Sequence, residues 1–153
     1  GWTYDGQWDD DKMNGTGLYT FKDGSTYEGE FKDDLKSGFG KRNYLNGDVY
    51  EGEWKKDKIN GQGKYLYADG SVYEGEWKND LPNGNGVYTG TDGSRHEGEW
   101  KNGVKDGFAF KNYPDGSKYQ GDWSNDMPNG NGTFTYANGF TQTGLWKNDN
   151  FME

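Results

Sequence analysis

His96 is the only histidine in the chain, and therefore the side chain best suited to acid–base or metal chemistry near neutral pH. The sequence has no cysteine and no second histidine with which His96 could form a catalytic dyad or a zinc site. His96 also falls at a position that is tyrosine in most copies of a repeated pattern. We therefore expect a packing or local polar role for His96, with ligand binding as the alternative.

The other residues with chemical potential are carboxylates, which occur in pairs and runs. Glu74 and Glu76 are two apart on one strand face, which is solvated by default, and nothing marks either for the raised pKa of a glycosidase acid. The aspartate run at residues 9–11 lacks the loop spacing of an EF-hand or an RTX repeat. Glycine pairs such as Gly61 and Gly63 are not followed by the Lys-Ser/Thr of a phosphate loop. The sequence predicts a protein that is not an enzyme and has no metal ligands and no cofactor.

Charge and hydropathy restrict the partners. The net charge is −9 and the isoelectric point is near 4.6, which argues against nucleic acid and against simple electrostatic attachment to an anionic membrane. The sequence has no apolar run of membrane-spanning length and no signal peptide, so we expect no transmembrane segment and a cytoplasmic location. Gly1 lies 23 residues before Gly24, in the middle of a turn, which suggests an excised fragment or a mature form of a longer array.

These residues must be positioned by a stretch that recurs every 23 residues, typified by Tyr73-Glu74-Gly75-Glu76-Trp77. Tyr, Gly and Trp alternate, so an extended strand places them on one face and the glutamates on the other. The glycine indicates that a neighbouring ring packs against the backbone there. A fixed period of this length is typical of a repeat array whose units bury their apolar faces against each other. The best-matched positions are Tyr27, Gly29, Phe31, Tyr50, Gly52, Trp54, Tyr73, Gly75, Trp77, Tyr119, Gly121 and Trp123.

Each repeat has the pattern of two short strands. The second strand carries alternating aromatic residues, as at Tyr19 and Phe21. An Asp-Gly or Asn-Gly dipeptide precedes each Tyr-x-Gly-x-Trp strand after the first, and the five residues between Phe21 and Tyr27 favour a three-residue bulged turn with glycine in the left-handed region. The other connection, such as Trp8 to Gly15, is polar and reads as a longer turn-like segment. This pattern predicts about 13 antiparallel strands.

The combination of Tyr-x-Gly-x-Trp, Asn-Gly-x-Gly and Asp-Gly in 23-residue steps resembles the MORN-repeat family. Matching stretches are residues 50–54 with 60–63, and residues 119–123 with 129–132. The resemblance covers the whole chain and implies an all-β fold, an elongated single-layer antiparallel sheet of stacked 23-residue β-hairpins. We expect one continuous array over 1–153, with repeats at 1–23, 24–46, 47–69, 70–92, 93–115 and 116–138 and a partial repeat at 139–153.

The resemblance also implies a function as a scaffold or dimerisation module, in a family whose members occur beside lipid kinases and methyltransferases and in ciliary or cytoskeletal parts. We therefore expect a non-catalytic protein-interaction module, cytoplasmic and in some settings cytoskeleton- or membrane-associated. The alternatives are an acidic-phospholipid (phosphoinositide) binding module and a regulatory domain of a larger enzyme. Lipid binding would need the loop lysines to cluster on one edge, namely Lys55, Lys56, Lys58, Lys78, Lys101 and Lys105.

Two departures from the pattern suggest interaction sites. In the fifth repeat His96 replaces tyrosine and Ala109 replaces glycine, and just before it Gly90 stands where a second-strand aromatic is expected. Positions that break an otherwise regular sequence pattern are often functional, so we predict that a partner or a bend in the sheet involves this repeat. The candidate partner-binding residues are His96, Trp100, Phe108 and Phe110.

The second departure is at the C-terminal end, where the seventh repeat has glutamine in place of tyrosine and lacks its second strand. An unpaired edge strand recruits other strands. We therefore predict a homodimer joined at this end by a two-fold contact. The residues of this candidate dimer end are Gln142, Gly144, Trp146, Phe151 and Met152.

Overall fold

The computed structural model describes all residues from 1 to 153 and contains β-strands only. It has no helix, and so none that could cross a membrane. The strands are Thr3–Asp9 (β1), Lys12–Thr20 (β2), Thr26–Lys32 (β3), Leu35–Asn43 (β4), Val49–Lys55 (β5), Lys58–Leu66 (β6), Val72–Lys78 (β7), Leu81–Thr89 (β8), Arg95–Lys101 (β9), Val104–Asn112 (β10), Lys118–Ser124 (β11), Met127–Thr135 (β12), Thr141–Lys147 (β13) and Asn150–Phe151 (β14).

The strands form one antiparallel sheet in which the hydrogen-bonded order follows the chain from β1 to β14. Each 23-residue repeat supplies a seven-residue strand and a nine-residue strand, as in β3 and β4. The predicted all-β hairpin array is confirmed. The expected strand number was one too low, because residues 150–151 pair with β13 as a short last strand.

Contacts divide the chain into two bodies. The first body comprises residues 1–70 and 76–81, and the second comprises residues 71–75 and 82–153. In the first body the buried layer is built from Tyr27, Phe31, Tyr50, Trp54, Ile59 and Trp77. In the second body it is built from Tyr73, His96, Trp100, Ala109, Tyr119, Trp123 and Trp146. In each body these side chains lie on one sheet face, the aromatic face, and the opposite face is the glutamate face.

The Asp-Gly turns have the predicted bulged geometry. The N–H of Gly24 donates to the carbonyl of Phe21 at 3.0 Å, and the N–H of Phe21 donates to the carbonyl of Ser25 at 2.9 Å. Gly24 has a φ of 93°, which a residue with a Cβ rarely adopts. The turn therefore keeps the aromatic side chains of both flanking strands on the same face, as the parity of the sequence predicted.

The other connection was predicted too long. β3 ends at Lys32 and β4 begins at Leu35, so only Asp33 and Asp34 separate them. Both residues have positive φ, 50° and 68°, as in a type I′ hairpin turn. The Asn-Gly segment that was read as part of the loop lies inside the second strand instead, and the register shifts beside it between Gly29 and Phe31. The acidic runs are thus turn residues.

The glutamate face also differs from the expectation that its carboxylates are merely solvated. At each described bulge an outward side chain of the first strand accepts a backbone N–H of the second strand. Glu99 accepts from Phe108 at 2.6 Å, Asp122 accepts from Asn131 at 3.1 Å, and Gln7 accepts from Thr16 at 2.8 Å. These side chains satisfy backbone donors that the irregular ladder leaves without a carbonyl.

Candidate functional site

The buried layer of the aromatic face is built by a tyrosine lying over a glycine. The hydroxyl of Tyr27 donates to the carbonyl of Glu30 at 2.8 Å, and a Cβ placed on Gly40 would lie 2.2 Å from that hydroxyl oxygen. The ring slot is therefore at the second-strand glycine. The first-strand glycine has a different reason, because a Cβ on Gly75 would lie 2.4 Å from the Cα of Gly86. The sequence predicted the close approach but assigned the ring to the wrong glycine.

Tryptophans close this layer. The indole N–H of Trp54 donates to the carbonyl of Gly40 at 3.1 Å, and its ring meets Tyr27 edge-on at 5.3 Å. Trp77 repeats the same bond to Gly63 at 3.1 Å. Each indole thus ties one repeat to the preceding one through both a hydrogen bond and a ring contact. The predicted structural repeat residues with side chains are all buried in this layer.

A second set of aromatic side chains lies half-buried on top of that layer, at the ends of the second strands. In the first body these are Tyr19, Phe21, Tyr44, Tyr65 and Tyr67, and in the second they are Tyr88, Tyr113, Phe134 and Tyr136. Neighbouring rings pack closely, as in Tyr19 and Phe21 at 4.7 Å or Phe134 and Tyr136 at 4.7 Å. These rings are more exposed than the closed layer beneath them, and Tyr136 is 40% exposed.

Pockets open between these half-buried rings in both bodies. In the first body a pocket of about 140 Å³ is lined by residues that include Tyr19, Phe21 and Lys36. In the second body a pocket of about 280 Å³ is lined by residues that include Tyr113 and Phe134. Their walls combine aromatic rings with a few charged groups, the usual lining of a binding groove.

His96 lies in the buried layer with 1% of its surface exposed. Neither ring nitrogen has a hydrogen-bond partner. Burial, followed by the charges of Lys105 and Lys111, lowers the pKa of His96 to about 3. The imidazole is therefore neutral near pH 7 and contacts Trp123 and Trp100 edge-on, with centroids 4.6 and 5.4 Å away.

The four predicted partner-binding residues do not form one patch. His96 and Trp100 are buried on the aromatic face. Phe108 and Phe110 lie on the glutamate face, 43% and 48% exposed, with their rings in an edge contact at 5.3 Å. The alternation of β10 explains the split, because the buried Ala109 stands between the two phenylalanines.

Sequence reasoning missed four cations on the aromatic face. Arg42 and Lys111 occupy the second-strand position that is Tyr19 in the first repeat, and Lys36 and Lys105 occupy the position of Met13. Lys36 and Arg42 lie against rings in the first body, and Lys105 and Lys111 do so in the second. The 23-residue alignment contained the signal, since these are charged residues at positions that otherwise carry rings or apolar side chains.

The predicted dimer end is partly folded onto itself. The ring of Phe151 packs on Trp146 with centroids 5.2 Å apart and fills the space over Gly144. Gln142 accepts a hydrogen bond from the Tyr136 hydroxyl at 2.6 Å. The carbonyl of Glu153 accepts from the Leu145 N–H at 3.3 Å. Met152 remains 53% exposed. Pairing of β13 with β14 covers only Trp146 and Lys147, so self-association stays a prediction.

Five of the six loop lysines on which lipid binding depended are exposed at or beside hairpin turns, and the sixth is not: the five are Lys55, Lys56, Lys58, Lys78 and Lys101. Lys55, Lys56 and Lys58 are exposed around the β5–β6 turn. Lys105 is half-buried on the aromatic face, with its ammonium 5.9 Å from the Trp100 ring. The structure also has no group of three or more His, Cys, Asp or Glu side chains placed to hold a metal ion.

The alternation, glycine contacts and turns described above recur with the spacing of a known family. The sequence model of the MORN repeat matches residues 4–26, 27–49, 50–72, 73–95, 96–118 and 119–141. The chain belongs to the MORN-repeat family. A comparison with curated proteins found no significant match.

Several solved structures have a similar fold. The TCP domain of Drosophila melanogaster SAS-4 (dCPAP), in complex with a proline-rich motif of Ana2 (dSTIL), is 19% identical with a TM-score of 0.55, over 86% of this chain and 73% of that one. The TCP10 domain of Danio rerio CPAP is 18% identical with a TM-score of 0.51, over 86% and 62%. The same domain with a STIL peptide gives 18% and 0.51, over 86% and 58%. The chain thus spans less than two thirds of the Danio rerio chains, and this likeness shows the fold alone.

Proposed function

We propose that this chain is a non-catalytic protein-interaction module whose aromatic face binds an extended, proline-containing peptide. The observation that carries the proposal is the row of half-buried second-strand rings above a closed layer of tyrosine and tryptophan. The lower layer stabilises the sheet, and several of the upper rings line the pockets above it. Proline-rich segments prefer such surfaces, because their extended left-handed helix is preformed and its rings pack on aromatic side chains.

The choice of a proline-rich occupant is supported by the similar fold of the Drosophila SAS-4 TCP domain, which was solved with a proline-rich motif of Ana2. It is also supported by the two pockets that open between rings of the aromatic face, although the glutamate face has a pocket of about 370 Å³ beside Phe108 and Phe110. The acidic glutamate face lacks a comparable row of rings, although Phe39, Phe108 and Phe110 are exposed there.

The test is binding of a fluorescein-labelled peptide of repeated Pro-x-x-Pro units, followed by fluorescence anisotropy. A scrambled peptide with alanine in place of proline is the reference. We expect Phe21→Ala to weaken binding, because it removes a half-buried ring of the aromatic face. Phe39→Ala is the matched control, since Phe39 is an exposed phenylalanine of the glutamate face.

Equal affinity for the proline and alanine peptides would contradict the choice of occupant. Equal losses in the two phenylalanine variants would contradict the choice of face.

A further inference from the structure

The two bodies contain equivalent pairs of cations that have different surroundings. Lys36 and Arg42 in the first body correspond to Lys105 and Lys111 in the second, three 23-residue steps later. In the first body the Phe21 ring covers both cations, at 5.7 Å from the Lys36 ammonium and 4.0 Å from the Arg42 guanidinium. Lys36 also forms an ion pair with Asp57 at 3.3 Å. Those charges are covered and partnered.

The second body lacks the one ring that corresponds to Phe21. The position equivalent to Phe21 is Gly90, which has no ring to place over the lysines. Lys105 and Lys111 each lie 5.8 Å from the centre of the Trp123 ring. Lys105 also lies 5.8 Å from the Tyr88 ring, and Lys111 lies 5.1 Å from the Tyr113 ring, but neither lysine forms an ion pair. Asp126, the equivalent of Asp57, accepts the backbone N–H of Lys105 at 2.8 Å but makes no bridge to its ammonium.

Beneath the two lysines, three buried nitrogen atoms have no partner. Two are the ring nitrogens of His96 and the third is the indole nitrogen of Trp123. The equivalent indoles of Trp54 and Trp146 donate to Gly40 and Gly132. For Trp123 the residue equivalent to Gly40 is Ala109, and the indole N–H forms no hydrogen bond. The neutral imidazole has one donor and one acceptor nitrogen, so two donors and one acceptor are unpartnered here, and such buried polar atoms call for a partner that the protein alone does not supply.

We propose that Lys105 and Lys111, together with the unpartnered Trp123 and His96 beside them, accept a carboxylate side chain of the peptide bound on the aromatic face. Asp126 and Asp92 lie near the lysines, but neither forms an ion pair with them, and the indole N–H is a donor with no acceptor, so an anion with acceptor oxygens fits the remaining place. Burial, then the nearby Lys111, lowers the pKa of Lys105 to about 8, a shift that an added anion would relieve. The inference rests on the proposed function and adds an acidic residue to the proline-containing partner.

The first experiment tests the site without peptide. Because His96 is the only histidine, its ring signals in ¹H–¹⁵N NMR report unambiguously on this place. Sodium acetate and inorganic phosphate are the probes, with sodium chloride at matched ionic strength as the reference. We expect acetate to shift the His96 signals in the wild type but not in Lys105→Met/Lys111→Met or in Gly90→Tyr, which restores the covering ring. The matched control is Lys36→Met/Arg42→Met, in which the response should remain.

The second experiment identifies the source of the anion. Pro-x-x-Pro peptides carrying one glutamate at successive positions are compared with the same peptides carrying glutamine. We expect the best glutamate peptide to bind about 5- to 30-fold more tightly than its glutamine partner, and this preference to disappear in the double lysine variant. Thermal melting of each variant shows whether it is folded.

The outcomes separate the two proposals. If no proline peptide binds but the acetate response remains, the proposed function is wrong and the anion does not come from such a peptide. An anion site would still be present. Binding of both peptides without a glutamate preference overturns only the carboxylate. Unchanged His96 signals in acetate and phosphate overturn the site itself. Lysine-dependent binding to phosphatidylcholine vesicles that contain phosphatidylserine, without a glutamate preference, overturns the peptide source in favour of a membrane.

Discussion

His96 and Ala109 form a matched pair, because the methyl group of Ala109 occupies the place that a tyrosine at position 96 would need. In the five other hairpins with this arrangement, a tyrosine hydroxyl lies where a Cβ on the second-strand glycine would be, as at Tyr73 and Gly86. Ala109 carries that Cβ and is fully buried. The shorter imidazole leaves room for the methyl group, and the pair thereby keeps the layer closed. The tyrosine's hydrogen bond to the backbone is lost, and the indole of Trp123 is left without an acceptor.

This pairing predicts strong coupling in a double-mutant cycle. His96→Tyr alone places a hydroxyl against the Ala109 methyl group and should lower the free energy of unfolding by about 1–3 kcal/mol. Ala109→Gly alone should cost about 1 kcal/mol, since it removes a buried methyl and adds glycine to a strand. The double variant should regain stability, with a coupling free energy of about 1–3 kcal/mol in urea unfolding.

The control is the reverse double-mutant cycle, Tyr73→His and Gly86→Ala, which introduces the same pair into a regular repeat. Additive losses in both cycles would refute the steric account.

The buried imidazole also predicts a pH dependence of stability. The pKa of His96 is lowered from 6.5 to about 3 by burial and by the two lysines. Above about pH 6.5 the ring is neutral in both the folded and the unfolded state, so it has no effect there. Below that pH the unfolded chain binds a proton that the folded chain does not, and the free energy of unfolding falls by up to about 1.4 kcal/mol per pH unit until the folded pKa is reached.

The control for this effect is the His96→Tyr/Ala109→Gly variant, which has the same carboxylates and no histidine. Urea unfolding between about pH 8 and about pH 4 should show the wild type losing more stability than the variant. Parallel pH profiles for the two proteins would mean that His96 is not buried as a neutral ring.

Most of the architecture follows from periodicity in the sequence. The 23-residue spacing and the alternation of Tyr, Gly and Trp determine the strands and the aromatic face, and the parity between Phe21 and Tyr27 correctly predicted the bulged turn. The tight turn at Asp33 and Asp34 was missed because neither residue is glycine, although both have positive φ. Asp accepts that conformation more readily than most residues, and the packed hairpin imposes it.

The candidate site was less predictable. Phe108 and Phe110 were grouped with His96 because they lie close in sequence, whereas aligning Ala109 with Gly86 would have placed them on the opposite face. Lys105 was grouped with the exposed loop lysines and Lys111 was overlooked, because charged residues were assumed to be solvated. The unpartnered nitrogens of His96 and Trp123 could not be found from sequence, since they depend on where a neighbouring carbonyl lies.

Replacing Gly75 by valine should destabilise the protein although valine favours strands. Its Cβ would lie 2.4 Å from the Gly86 Cα and 2.5 Å from the Asn85 carbonyl oxygen, and backbone atoms cannot move aside as a side chain can. We expect a loss of at least about 2 kcal/mol in the free energy of unfolding. Glu74→Val is the control on the same strand, because that side chain is exposed on the opposite face. A thermal melt in which Gly75→Val matches Glu74→Val would disprove the close-contact argument.

Self-association at the C-terminal end can be tested by mass. β14 pairs with only two residues of β13, and Leu145 and Met152 beside it are 50% and 53% exposed. If this edge joins two copies, light scattering at micromolar concentration should give twice 17.3 kDa. Leu145→Lys/Met152→Lys should reduce the mass to that of a monomer, and Leu45→Lys, at an exposed position in a turn, should not. A monomeric wild type would end the proposal.

A turn aspartate links adjacent hairpins by a hydrogen bond. Asp80 accepts the backbone N–H of Ile59 at 2.8 Å, and Asp34, Asp57 and Asp126 do the same for Met13, Lys36 and Lys105. In the repeat after Ile59 and Asp80, the donor position is Pro82, which has no N–H to donate, and the acceptor position is Gly103, which has no carboxylate. At the other proline in this position, Pro128, the equivalent turn residue is still an aspartate, Asp149, although there is no N–H for it to accept.

A matched pair of variants isolates this bond. Asp80→Gly keeps the positive φ of the turn and removes the acceptor, so the Ile59 N–H is left unpaired and the free energy of unfolding should fall by about 1–3 kcal/mol. Asp149→Gly makes the same change opposite Pro128, which has no N–H, and should cost less than about 0.5 kcal/mol. Urea unfolding of the two variants compares them directly. Equal losses would show that aspartate serves the turn itself and not the neighbouring hairpin.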